Sequence, residues 1–387
     1  REAAGSGGLW MRSLRPPVTH LGTAQKAVLR GHNSSVPSVS FSPDGEQIVS
    51  GSWDKTVRRW EARTGAPLGE DGEAPWAHED LVNCVAISPN GRWVVSGSKD
   101  KTVRVWDLQG REEPIWLSSH EVGVRSVDWS PDGGMIASGA ENGTVRVWDS
   151  RSGEELHRLR GHDDAVTGVA WNPGGSGVAT ASADGAAGIW HGDNGSEIRR
   201  LCGHEDQVSC VAWSPDGSAV ATGSFDTTIR IWDAQTWEER LCIEGHENKI
   251  RCLCYSPEGR RIASGAGANT LERGNRPDDH TIRIWDAESG RHLRCLRGHD
   301  RRVMGLAFCP DGDRIVSGSR DSSIRIWSTE DGEERRPLRW DEGWITSVAS
   351  VPGGRRVITG ARDETLRTWD PTNGRQVDCL DGLNSQV

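Results

Sequence analysis

Between His204 and Asp233 the chain alternates short apolar runs with turn-forming polar clusters, a rhythm that predicts β-strands. Val208–Trp213, Ala219–Ser224 and residues 228–232 read as three strands. In the first, Val208, Val211 and Trp213 are spaced three and then two, which places a bulge near the strand start. In the third, Ile229 and Ile231 share one face of the pleat while Arg230 and Trp232 share the other. Both faces are therefore substantially apolar, as expected for a sheet sandwiched between two others. Ser214-Pro215-Asp216-Gly217 separates the first two strands, with Pro presetting φ and Gly accepting a positive one. A polar fourth segment, such as residues 153–160, follows the third strand in each unit.

This pattern repeats through the chain. One tryptophan recurs at Trp60, Trp106, Trp148, Trp190, Trp232, Trp285, Trp327 and Trp369, in steps of 46, 42, 42, 42, 53, 42 and 42 residues. A histidine stands 28 residues before it at His32, His78, His120, His162, His204 and His299, and 39 residues before it at His246. Eight units of four short strands replace the two or three domains that 387 residues would otherwise suggest. Each unit can bury both faces only against neighbours, so an open row would leave two apolar faces in water. With a few hundred Å² of apolar surface on each, closure into a ring is favoured by on the order of 10 kcal/mol. Two segments could join the last unit to the first, residues 24–30 and residues 375–381.

The recurrent Gly-His, the Trp-Asp of Trp106-Asp107, Trp148-Asp149, Trp232-Asp233, Trp285-Asp286 and Trp369-Asp370, and the 42-residue step resemble the WD-repeat family over about residues 22–382. Residues 1–21 are then a linker or tail and 383–387 a tail. The resemblance implies an all-β fold, an eight-bladed β-propeller with four antiparallel strands per blade and a terminal strand closing the ring, and by family precedent it favours the N-terminal segment, residues 24–30, for that strand. It also implies a buried tetrad in each blade, made of the Gly-His histidine, a second-strand Ser or Thr, a turn Asp and the Trp. Matching residues are His32, Ser50, Asp54 and Trp60; His78, Ser96, Asp100 and Trp106; His162, Thr180, Asp184 and Trp190. They continue with His204, Thr222, Asp226 and Trp232; His246, Ser264, Asp279 and Trp285; His299, Ser317, Asp321 and Trp327. Blade 3 departs with Asn142 in place of Asp, and blade 8 with Asp341 in place of His, so these two blades are expected to be the softest. The Arg-rich repeat text, such as Gly51-Ser52-Trp53-Asp54-Lys55-Thr56-Val57-Arg58, is also similar to the C-terminal propellers of NACHT-type signalling proteins of fungi and bacteria.

Composition narrows the function. Hydrophobic residues make up only 34 %, but 19 Trp supply much of the apolar area. A net charge of -10 argues against sequence-independent nucleic-acid binding. The 9 Cys include no C-x-x-C pair and read as reduced core residues of a cytoplasmic protein. No apolar run approaches the roughly 20 residues that span a bilayer, so no membrane association is expected. Nucleophile elbow, metal-ligand spacing and phosphate-binding loop are all missing from the sequence, which predicts a non-enzymatic, monomeric scaffold without cofactor. The alternatives are an enzyme using the central channel, or a consensus-like folding unit with no dedicated partner.

In the family, partners commonly dock on the face carrying the His and Asp loops, through the two residues flanking the leading Val or Ile of the first strand and the one before the turn Asp. Carried over, blades 6 to 8 supply Lys249, Arg251, Arg302, Met304, Arg320, Trp344 and Arg362, a basic arc. Trp53, Lys99, Arg125 and Phe225 come from other blades, and the 11 extra residues of blade 6 bring Arg273 and Arg276 to the same face. Cations beside an aromatic suit a protein or peptide partner that is acidic or phosphorylated.

Overall fold

The computed structural model describes residues 25–30, 32–61, 67–68, 76–118, 120–267, 279–309, 312–321, 323–330, 334–339, 344–350, 357–363 and 365–369. They form eight antiparallel sheets, the blades of one propeller. Blade 5 shows the plan: an inner strand Val208–Trp213, a second strand Ala219–Ser224, a third strand Ile229–Asp233 and an outer strand Glu239–Ile243. Its inner strand slips register between Val208 and Cys210, the bulge that the three-then-two spacing predicts. The Gly217 turn closes with its N–H on the Ser214 carbonyl at 2.9 Å and φ of 71°.

Blade 8 is completed from the other end of the chain. Gln25–Arg30 pairs antiparallel with Thr365–Trp369, Leu29 opposite Leu366 and Arg30 opposite Thr365. The alternative closing segment, 375–381, lies outside the described residues, as do Arg273, Arg276, Asp341 and both tails. Blade 1 differs from the others on the rim, where its outer strand is split into Pro67–Leu68 and Trp76–Ala77.

Eight apolar clusters lie between consecutive blades, one per seam. Each contains the repeat Trp of the following blade: Trp106 packs with Val49 and Val57 of blade 1, and Trp60 with Ile358 and Leu366 of blade 8. The last seam is thus built like the rest, and the Val36 N–H donates to the Ala361 carbonyl across it at 3.0 Å. Gly360 is tight against it, since a Cβ there would stand 2.6 Å from the Val36 carbonyl oxygen.

The same tryptophans anchor the tetrads. Trp60 Nε1–H donates to Ser50 Oγ at 2.8 Å, Ser50 Oγ meets His32 Nε2 at 2.7 Å, and His32 Nδ1 meets Asp54 Oδ2 at 2.8 Å. A neutral imidazole satisfies every atom: Nδ1–H donates to the carboxylate and Nε2 accepts from the hydroxyl. His78, His162, His204, His246 and His299 repeat the arrangement with His-to-Asp distances of 2.7–2.9 Å. Burial lowers the pKa of His32, His78 and His162 despite their Asp partners. Burial would raise Asp54, but hydrogen bonds from His32, Thr56 and the Asn33 N–H outweigh it and hold the carboxyl well below its usual range.

In blade 3 the chain of bonds is cut. His120 Nε2 meets Ser138 Oγ at 2.7 Å, but its Nδ1 is buried without a hydrogen-bond partner. Asn142 has one acceptor oxygen, and the Thr144 N–H and hydroxyl already take it, at 3.3 and 2.7 Å. Burial, and after it the Arg146 charge, drives His120 down to about 3. In blade 8, Asp363 instead receives Arg367 Nη2 at 2.7 Å, with the Arg367 side chain fully buried.

The cysteines divide between wall and rim. All eight within the described residues are free thiols, and burial pushes Cys84 and Cys254 up to about 12 and Cys210 to about 11. Cys202 and Cys242, however, are exposed on outer strands and not core residues.

Two outcomes are expected. Gly360→Ala should cost about 1–3 kcal/mol by forcing the closing seam apart. Gly168→Ala, whose new Cβ meets nothing nearer than 3.6 Å, should cost under about 0.5 kcal/mol. Urea melts showing equal losses would mean that blades 8 and 1 do not touch. Asn142→Asp should stabilise by about 1–3 kcal/mol at neutral pH by supplying the missing acceptor. The pH dependence has a definite sign. A histidine held below its unfolded value of 6.5 makes stability fall as pH drops beneath that value, and for His120 the fall continues to about 3. The Asn142→Asp variant should therefore also flatten the stability profile between about pH 6.5 and 4, and steepen it below that range, where the new carboxyl, held low like that of Asp54, takes up its proton.

Candidate binding face

The inner strand of each blade is a sheet edge lining the channel, and its backbone polar groups need partners. Small polar side chains of the preceding blade provide them. Asn83 donates to the Val124 carbonyl at 2.8 Å, Thr167 to that of Val208 at 2.6 Å and Ser209 to that of Ile250 at 2.8 Å. Ser126 and Asp128 accept the N–H groups of Val169 and Trp171, at 3.1 and 2.8 Å. Burial raises the Asp128 carboxyl to about 6 against these N–H bonds. The residue after the leading Val or Ile is thus committed to the wall wherever it is Asn, Thr or Ser. Thr346, at the same position in blade 8, donates to the Val36 and Gly360 carbonyls and is lost to the face.

The other two face positions are held side by side. The N–H of the residue before the turn Asp or Asn donates to the carbonyl of the residue before the leading Val or Ile in every blade except the sixth, where Gly267 takes the donor's place. Trp53 donates to Ser35 at 2.8 Å, Lys99 to Leu81 at 2.8 Å, Phe225 to Gln207 at 2.9 Å, Arg320 to Arg302 at 3.1 Å and Arg362 to Trp344 at 2.7 Å. The resulting face is chemically lopsided. In blade 3 Arg125 is exposed and paired with Glu141 at 3.4 Å, and blade 4 presents Ala165 and Ala183. Trp53, 39 % exposed, and the exposed Lys99 stand on blades 1 and 2.

Blades 5 to 8 carry the charge. Lys249 Nζ and Arg251 Cζ lie 4.8 and 4.3 Å from the Phe225 ring centroid, across the seam between blades 5 and 6. Arg320 and Arg362 lie 4.2 and 4.6 Å from that of Trp344. Met304 is half-buried two residues after Arg302, and Arg362 is exposed. Arg302 corrects the sequence expectation of an exposed site: it is only 6 % exposed, and its Nε is buried without a hydrogen-bond partner. Gly267 packs directly on it, since a Cβ there would stand 2.2 Å from the Arg302 Cβ and 2.4 Å from its Cα. Neither Arg302, Arg320 nor Arg362 pairs with a carboxylate among the described residues. Burial lowers the Arg320 pKa, and repulsion from Arg251, Arg362 and Arg301 lowers it further. Arg301, exposed next to Arg302, is a member of the cluster that the three-position rule does not count. A run of two arginines before the leading Val303 was the available signal.

The WD domain, G-beta repeat family matches residues 23–61, 75–107, 113–149, 153–191, 195–233, 237–286, 290–328 and 333–370. Among curated proteins, the nuclear distribution protein PAC1 of Mycosarcoma maydis is 56 % identical over 39 residues, 10 % of this chain and 9 % of that protein. The ribosome biogenesis protein BOP1 homolog of Drosophila grimshawi is 58 % identical over 43 residues, 11 % of this chain and 6 % of that protein. Each match spans about one repeat and under a tenth of the relative's length. The crystal structure of the computationally designed Ika8 protein superimposes with a TM-score of 0.77 at 27 % identity, covering 90 % of this chain and all of the design. With eight matched repeats folded into eight blades around one closed ring, the chain belongs to the WD-repeat family of β-propellers.

Proposed function

We propose that this propeller is a non-catalytic scaffold that holds a protein or peptide partner on the face carrying the His and Asp loops, with an acidic stretch of the partner lying across blades 6 to 8. The observation that supports this most is the contrast of charge. A chain of net charge -10 gathers Lys249, Arg251, Arg320 and Arg362 at one edge of the channel mouth, while its ion pairs elsewhere interleave both signs. Aromatic faces at Phe225 and Trp344 hold these cations in place and add the contact area that peptide recognition draws on. The His and Asp pairs are spent inside separate blades, each satisfied by its own neighbours, so they read as framework and not as acid–base machinery. The same reading places the protein in the cytoplasm as a monomer.

The test is a pull-down from the source cell with wild type, Arg320→Glu/Arg362→Glu, and an exposed rim control, Arg199→Glu. Partners held by the wild type and the control should drop at least tenfold with the double variant. Its melting temperature should stay level or rise slightly, because the substitutions relieve like-charge repulsion at accessible sites. Retention of all partners by the double variant would remove blades 6 to 8 from the interface. Arg302→Glu is unsuitable for this purpose, since the new carboxylate would be buried.

A further inference from the structure

Resting on that reading, we infer that the centre of the arc, between Arg320 and Arg362 beside Trp344, is a seat for one doubly charged phosphoryl group on the partner peptide. A buried charge ordinarily comes with a counter-charge from its own chain. Arg320, half-buried, has none among the described residues, and its Nε is buried without a hydrogen-bond partner, as is that of Arg302. The 3.1 Å bond from the Arg320 N–H to the Arg302 carbonyl ties the two backbones together. Arg320 and Arg362 are further constrained by one ring, Trp344. Guanidinium stacking on an indole leaves the in-plane N–H donors pointing past the ring edge, ready for an anion.

The number of donors selects the anion. A carboxylate offers two oxygens and one charge, which Arg125 already shows to be matched by a single guanidinium through Glu141. Two guanidiniums held on one ring without acidic partners, with the charges of Arg251 and Arg301 near enough to repel Arg320, call for a compact acceptor with three oxygens and nearly two charges, which a phosphoserine or phosphothreonine supplies. Repulsion among Arg320, Arg251, Arg362 and Arg301 is then relieved by the ligand itself.

The experiment is fluorescence anisotropy on the full chain with four labelled pentapeptides, Gly-Gly-X-Gly-Gly, where X is phosphoserine, phosphothreonine, Glu or Ser, and with an oligothymidylate of five nucleotides. A phosphopeptide is expected to bind at least tenfold more tightly than the Glu and Ser peptides and the oligonucleotide, and to weaken several-fold from pH 7.5 to 5.5 as the phosphate takes up its second proton. Arg320→Lys, which keeps the charge but loses the planar fork, should weaken it about tenfold, as should Arg362→Lys. Equal binding of phosphopeptide and Glu peptide, or binding of neither, overturns the phosphoryl seat. If partners in the pull-down are nevertheless lost with Arg320→Glu/Arg362→Glu, the acidic-partner reading survives that failure. Equal or tighter binding of the oligothymidylate overturns the seat in favour of a general polyphosphate surface.

Discussion

The structure depends on what each repeat tryptophan does with its two ends. Its indole N–H is tied to a Ser or Thr of its own blade, and its ring lies in the apolar cluster shared with the blade before. Local hydrogen bonding and long-range packing therefore run through one side chain, and a blade cannot lose its tetrad without loosening a seam. This coupling explains why the eight seams are alike, including the one where the two ends of the chain meet. A sheet with two apolar faces has no stable edge until the circle is complete, so the N-terminal strand in blade 8 is a structural necessity of the repeat and not an ornament.

The exceptions to the repeat show how much of the tetrad is negotiable. Blade 4 has Gly188 where most blades place an arginine two residues before the Trp, and Arg200, its partner in register on the outer strand, reaches in to bind Asp184 at 2.7 Å. Ala186 and Ala187 leave that blade thin, and Trp213 and Trp237 fill the seam behind it, edge to face at 6.1 Å. In blade 8 a buried arginine supplies the cation for the turn carboxylate. Only blade 3 lacks a replacement for its missing carboxylate. An amide cannot both accept the turn bonds and receive an imidazole N–H, so the deficit stays with His120.

Much of this was legible in the sequence because it is periodic. The 42-residue step, the two-faced strands, the Pro-Asp-Gly turns and the His-to-Ser and Asp-to-Trp spacings all report local geometry repeated eight times. The face was less legible, because its chemistry depends on contacts between blades. Position alone put Arg302 in solvent, whereas it is buried, with Gly267 packed against its Cα and Cβ. Thr167 and Thr346 count as surface by position but are consumed in stitching one blade's inner edge to the next. The division of blade 1's outer strand around Trp76, which stacks on Trp106 at 5.3 Å, has no counterpart in another repeat from which to read it.

These two levels, a rigid ring and a variable face, explain how a repetitive chain can still be specific. The backbone bond between the residue before the turn Asp and the residue before the leading Val or Ile recurs around the channel mouth, with Gly267 standing in for the donor in blade 6, so eight pairs of positions are held at fixed separation whatever side chains occupy them. Charge placed on such a rim cannot relax away from its neighbours. On blades 6 to 8 that rigidity keeps like charges together at a cost to the free protein, and a partner of opposite charge, as proposed, would recover that cost on binding. Rigidity would then turn a local electrostatic penalty into affinity, which a flexible loop carrying the same arginines would dissipate by letting them swing apart.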